Sequence, residues 1–218
     1  MLVPADHPGR RITVDFFPDP PQPAQRDELD EPARPAWSGP PDDVLAGVVP
    51  VELVLGRSDS TVLTLSGLRA FPTGLGMVLG VRVRGPLGRR DLNSEVFDGP
   101  YEHVQDAAWQ RGRLKWGFEL ADGQRVTNLD PGPWGEQPTG PDGAPDDTWQ
   151  PSRPLLTGGG GDASRRSANR DHWLWPLPPA GRLRVVCQWL EQGIELTSHE
   201  LDADLLRQAA ERARPLWP

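Results

Sequence analysis

Met77, Leu79, Val81 and Val83 alternate with Val78, Gly80, Arg82 and Arg84, and Leu114, Trp116, Phe118 and Leu120 alternate with Arg113, Lys115, Gly117 and Glu119. A period of two puts each set on its own face of a pleated strand, so both runs predict half-buried β-strands. The same pattern starts at Val51, Leu53 and Leu55, turns at "GRSDS" and resumes in "TVLTLSGLRAF", where Gly67 predicts a bulge. After Leu120, "ADGQR" predicts a hairpin with a type I′ turn at Asp-Gly, and Val126 begins the return strand. "LRVVCQW" and "IELTSHEL" form a further pair across "LEQG".

Near the C-terminus the period lengthens. Asp202 can cap a helix, Asp204 sits in its first turn, and Leu205, Leu206, Ala209 and Ala213 share one side, which predicts a helix over 202–214 ended by Pro215. Many short alternating strands with a single terminal helix predict an all-β chain. The expected architecture is an antiparallel β-sandwich, immunoglobulin-like in general architecture. "RITVDFF" could add a short edge strand at 11–17, whereas "PDPPQPAQRDELDEPARPAWSGPPDD" is too dense in proline for a helix or a central strand. The expected organisation is thus a largely disordered arm over 1–43, a sandwich over 44–201 with a long loop at 130–154, and the helix.

Composition changes this picture mainly by exclusion. The 26 prolines and 24 glycines concentrate in the arm and the loops, which lowers the hydrophobic share to 36% without weakening the strands. A net charge of −8 repels phosphate backbones and anionic membrane surfaces, so neither nucleic acid nor membrane is the expected partner. The beginning of the chain lacks the apolar run of a signal peptide, and no stretch approaches a membrane span, so a cytoplasmic protein is expected. Cys187 is the single cysteine and shares parity with Leu183, Val185 and Trp189, which reads as a buried structural thiol rather than a nucleophile.

Candidate chemistry centres on "TGGGGDASRRSANRDHWLWPLPP", residues 157–179. A phosphate loop would lead its glycines into a helix, but "DASRRSANRD" has neither apolar periodicity nor a lysine. The expectation is a flexible hairpin loop over 158–170, with Trp173 and Trp175 anchoring the returning strand and alanines in place of Gly158–Gly161 costing little. Arg165, Arg166 and Arg170 could clamp an anion there, and His172 stands beside them; a solvated loop tip is the plainer reading of the arginines.

His103, His172 and His199 each adjoin an acidic residue, but neighbours on a strand point to opposite faces, and no H-x-H or H-x-x-x-H ligand pair occurs. Asp142, Asp146 and Asp147 miss the calcium-loop spacing, and G-x-S-x-G is absent. No catalytic residue, metal site or cofactor is therefore expected. Of the nine tryptophans, Trp116 and Trp189 fall on apolar strand faces, while Trp37, Trp134, Trp149 and Trp217 lie among loop and terminal residues, where they cover the sandwich ends or form a binding surface. Trp134 and Trp149 join the arginines and His172 as candidate ligand contacts.

"LGRSDSTVLTLSGLRAFPTGLGMVLGVRVR", "FELADGQRVTNL" and "LLTGGGG…HWLWPLPPAGRLRVVCQWLEQGIE" resemble a set of uncharacterised actinobacterial proteins that share an "ADG-R-xTN" hairpin and a "GGGG…WLWPLPP" hairpin. The resemblance spans roughly residues 50 to 200. It implies a shared β-sandwich and brings no established activity; Arg182 and Arg184 depart from it by interrupting a more apolar strand start. Together these readings lead to a non-enzymatic β-sandwich that binds a protein partner or small ligand through its loop ends. The alternative is a hydrolase-like enzyme using carboxylates or histidine in a cleft, and a deep pocket gathering such groups separates the two.

Overall fold

The computed structural model describes residues 34–85, 91–97, 107–133, 136–139, 146 and 148–218. In chain order the elements are strands β1 (Val44–Leu45), β2 (Gly47–Val48), β3 (Leu53–Arg57), β4 (Thr61–Phe71) and β5 (Gly74–Val83), helices α1 (Leu92–Phe97) and α2 (Ala107–Gly112), and strands β6 (Lys115–Glu119) and β7 (Arg125–Thr127). They continue with β8 (Leu155–Ala163), β9 (Ser167–Trp175), β10 (Arg182–Trp189), β11 (Ile194–Asp202), helix α3 (Ala203–Glu211) and β12 (Arg214–Pro215). One sheet runs β2-β4-β5-β9-β8 with β3 also on β4, the other runs β11-β10-β6-β7, and β1 pairs with β12. The pairings are antiparallel, and the two larger sheets face each other as a β-sandwich.

The alternating runs supply the core. Leu63, Leu65, Leu79 and Val81 from the first sheet meet Trp116, Phe118, Val185 and Cys187 from the second in one buried cluster, joined by Leu206 and Ala209 of α3. Cys187 is buried, its thiol lies 3.1 Å from the Thr197 hydroxyl, and burial pushes its pKa up, as suits a structural thiol. The β10–β11 pairing sets Arg182 opposite Asp202 and Val185 opposite His199. Gly67 has φ of 60° at a register shift in the β4–β5 pairing, which is the expected bulge.

Several expectations need correction. The Asp122-Gly123 turn is not type I′, because only Gly123 has positive φ. Gly123 N–H donates to the Leu120 carbonyl and Leu120 N–H to that of Gln124, the pattern of a three-residue loop with a glycine bulge. Asp202 caps α3 by accepting from Asp204 N–H, but the helix stops at Glu211 rather than 214, because Arg214 and Pro215 pair with β1. Two further helices, α1 and α2, precede the C-terminal one; at six residues each they are too short to carry a helical period.

The exposed arm expected over 1–43 is not what the described part, from residue 34 on, forms. Trp37 is 1% exposed, donates its indole N–H to the Trp149 carbonyl and meets the Trp149 ring edge-on, while the Trp173 indole donates to the Ala36 carbonyl. Residues 34–40 thus lie against the outer face of the first sheet, where Trp173 and Phe71 also pack. The rest of the arm, including 11–17, lies outside the described residues, as do Trp134, His103 and much of the 130–154 loop.

The glycine run is a strand rather than a loop. β8 and β9 pair from Leu155↔Trp175 to Ala163↔Ala168, leaving only Ser164–Arg166 at the tip, and burial on β9 begins at Ala168 rather than Trp173. None of Gly158–Gly161 has positive φ, so sterics decide what each tolerates. A Cβ at Gly161 would collide with the Asn169 carbonyl and come within 2.9 Å of the Phe97 ring, and one at Gly158 would come within 2.5 Å of the Arg170 guanidinium, whereas one at Gly160 meets nothing within 4 Å. Gly161→Ala is therefore expected to cost about 1–3 kcal/mol and Gly160→Ala less than about 0.5, as read from denaturant midpoints. Equal effects at the two positions would contradict this strand geometry.

Candidate functional site

A cleft of about 180 Å³ opens between the two sheets at their β7 and β8 edges. Leu79, Leu114, Trp116 and Leu156 form apolar walls, while Glu95, Arg113, Asn128, Asp130, Arg170 and His172 bring polar groups from α1, the start of β6, the turn after β7, and β9. Each group arrives for a local reason. Asp91 caps α1 by accepting from Ser94 N–H, and this short helix presents Glu95 and Val96 to the interior. Asn128 continues the β6–β7 ladder with its side chain: its amide oxygen accepts from Trp116 N–H at 2.8 Å and its amide nitrogen donates to the Leu114 carbonyl at 3.0 Å. Asp130 accepts from Thr127 N–H at 2.6 Å and closes that turn. Asn128 thereby fixes the strand that carries Trp116.

His172 occupies the inner face of β9. Its ring meets that of Trp116 edge-on at 4.7 Å, it is 7% exposed, and neither ring nitrogen has a hydrogen-bonding partner among the described residues. Burial, and then the nearby Arg170 charge, push its pKa down from 6.5 to about 3. The ring is therefore neutral near pH 7, with one nitrogen a donor and the other an acceptor.

Arg170 is not at a loop tip. Its guanidinium donates to the Val96 and Phe97 carbonyls at 2.7 and 3.1 Å, capping the end of α1, and stands over the Phe97 ring. Arg165 and Arg166 are exposed at the β8–β9 tip and do not line the cleft. Trp149 is half-buried against Trp37 and is a cover rather than a cleft wall. His199 does not line the cleft: its Nε2–H donates to the Leu55 carbonyl at 2.8 Å, a link between the two sheets. Of the sequence-based candidates among the described residues, the structure thus unites His172 and Arg170.

No family model, curated protein or solved structure matches this chain. The chemistry must accordingly be read from the cleft itself. Among the described residues no group of three His, Cys, Asp or Glu side chains is placed to hold a metal ion, and no helix is long and apolar enough to cross a membrane. Glu95, Arg113, Asn128 and Asp130 escaped sequence reasoning because they come from three segments far apart in the chain. The one signal was local: Asn128 belongs to the "TN" that follows the ADG hairpin.

Proposed function

We propose that the chain is a cytoplasmic β-sandwich binding module that takes a small polar ligand between its sheets, with His172 as the anchoring contact. The observation that carries this reading is the buried, neutral imidazole on a cleft wall, with two nitrogens unpartnered among the described residues. A buried polar group without a partner costs about 1–3 kcal/mol, and a ligand able both to donate and to accept a hydrogen bond recovers that loss. Trp116, Leu79 and Leu156 supply the apolar surface such a molecule needs.

The alternative hydrolase reading has one observation in its favour, since Glu95 and Asp130 line the same cleft as His172. Two facts weigh against it. A histidine with a pKa of about 3 is poorly matched to proton transfer near neutral pH, and none of the described residues that line the cleft is a serine or cysteine. The net charge of −8 continues to argue against nucleic acid as the partner. The resemblance to the actinobacterial set adds a shared architecture and no activity.

The test is a screen of small amides, alcohols and carboxylic acids by two-dimensional NMR of the labelled protein. Compounds that use the cleft are expected to shift the Trp116 indole resonance in the wild type and to lose at least ten-fold in affinity in His172→Leu. If no compound moves that resonance, or the substitution leaves binding unchanged, His172 is only a packing residue and the reading is wrong.

A further inference from the structure

Size is the first limit on what the cleft between the sheets can take. Its volume of about 180 Å³ falls below the roughly 300–1,000 Å³ of pockets for drug-sized ligands, and a cavity of about 150 Å³ accommodates one benzene ring. A single six-membered ring therefore fills it. Leu79, Leu114, Trp116 and Leu156 supply the apolar contacts along which the carbon edge of such a ring can lie.

Charge narrows the choice further. Among the described residues that line the cleft, Arg113 and Arg170 bring two formal positive charges, and Glu95 and Asp130 bring two negative ones. The lining is balanced. Arg170 and Asp130 are also already engaged, the guanidinium with the Val96 and Phe97 carbonyls and the carboxylate with the Thr127 N–H. An ion entering this cleft would give up its water without meeting a surplus of opposite charge, which is costly in an interior of low dielectric. A neutral ligand avoids that loss.

His172 independently asks for a polar edge on that ring. It is 7% exposed on the inner face of β9, its ring stands edge-on to Trp116 at 4.7 Å, and neither nitrogen has a hydrogen-bonding partner among the described residues. One nitrogen donates and the other accepts, and the tautomer decides which of them a ligand meets. A cyclic amide holds its N–H and C=O on the same edge, so one pose serves either tautomer, whereas an open-chain secondary amide is trans and turns the two groups to opposite sides. We propose that the cleft binds a small neutral cyclic amide, a single six-membered ring whose N–H and C=O edge meets the His172 imidazole while its carbon edge lies along Trp116 and Leu156. A carboxylic acid offers the same donor and acceptor only when protonated, and near pH 7 it is ionised. The inference rests on the binding-module reading and adds a chemical class to it.

The experiment follows the Trp116 indole and His172 ring resonances of the full-length labelled protein during titration with 2-piperidone, a six-membered ring with one N–H and one C=O. Both are expected to shift, with nuclear Overhauser contacts between the ligand's ring protons and the Trp116 indole. Three analogues of similar size separate the parts of the proposal: N-methyl-2-piperidone lacks the donor, N-ethylpropanamide opens the ring, and cyclohexanecarboxylate carries a charge. Each is expected to bind roughly ten-fold more weakly than 2-piperidone, the scale of one lost hydrogen bond, and His172→Leu should weaken 2-piperidone by about the same factor. The analogue series uses the wild-type protein, so it decides the matter even if that variant fails to fold. Equal or tighter binding of any analogue would overturn the cyclic-amide class; if that analogue still moves Trp116 and is lost in His172→Leu, the cleft reading survives. Failure of 2-piperidone to move either resonance would also overturn the class, and silence of all four compounds would take the cleft reading with it. Binding of 2-piperidone that His172→Leu leaves unchanged would sink both.

Discussion

Replacing Trp116 by alanine is expected to destabilise the sandwich by about 3–5 kcal/mol, the range for deleting a large aromatic side chain from a core. The residue is 2% exposed, meets Phe118 edge-on at 5.7 Å on its own strand, and crosses the gap between the sheets to His172. The loss is read from the midpoint of guanidinium unfolding, with the slope of the transition unchanged. A variant that unfolds at the wild-type midpoint would remove Trp116 from the core, and with it the apolar wall of the cleft. Asn128→Ala should act in the same direction but less strongly, because it removes two hydrogen bonds to the β6 backbone while leaving the aromatic packing in place.

Acid should weaken the protein through His172 in particular. The folded-state pKa of about 3 lies below the ordinary value of 6.5, so between these two pH values the unfolded chain holds the extra proton. Protons therefore favour unfolding throughout that window. The contribution of the neutral imidazole is fully present above pH 6.5 and is lost as pH falls toward about 3. Over that interval the loss is on the order of 3–5 kcal/mol for this one group, given about 1.4 kcal/mol per unit of pKa difference. Carboxylates add their own acid dependence, so the informative quantity is the difference between proteins. Unfolding free energies measured at pH 7 and pH 4.5 should fall more steeply in the wild type than in His172→Leu, which has nothing to protonate at that position. Parallel lines for the two proteins would show that the imidazole is accessible to solvent and not confined to the cleft wall.

Most of the strand framework is legible along the chain. Leu79 and Val81, Trp116 and Phe118, and Val185 and Cys187 are buried as their parity demands, because the period of a pleated strand is local and one face of each must leave water. The same holds for the Gly67 bulge and the Asp202 cap, which depend on backbone geometry within a few residues. Trp37 shows where local reasoning stops. Among so many prolines it reads as part of an exposed arm, yet it is buried, because the Trp149 carbonyl and ring, from the loop before β8, and the Trp173 indole on β9 hold the segment around it.

The glycine strand failed for a related reason. Glycine has little intrinsic preference for a strand, so Gly158–Gly161 look like a flexible turn until β9 arrives to pair with them, and that pairing depends on contacts made elsewhere along β9. Arg170 could be read only as a mobile cation, because the α1 carbonyls that hold it lie more than 70 residues away in the chain. The cleft is the extreme case. Periodicity settles which side of each strand faces inward, since that is a property of neighbouring residues. Which polar side chains then share one cavity is settled only when α1, β6, the turn after β7 and β9 converge, because burial and charge proximity are properties of the assembled sandwich, and these two effects are what make His172 a neutral imidazole.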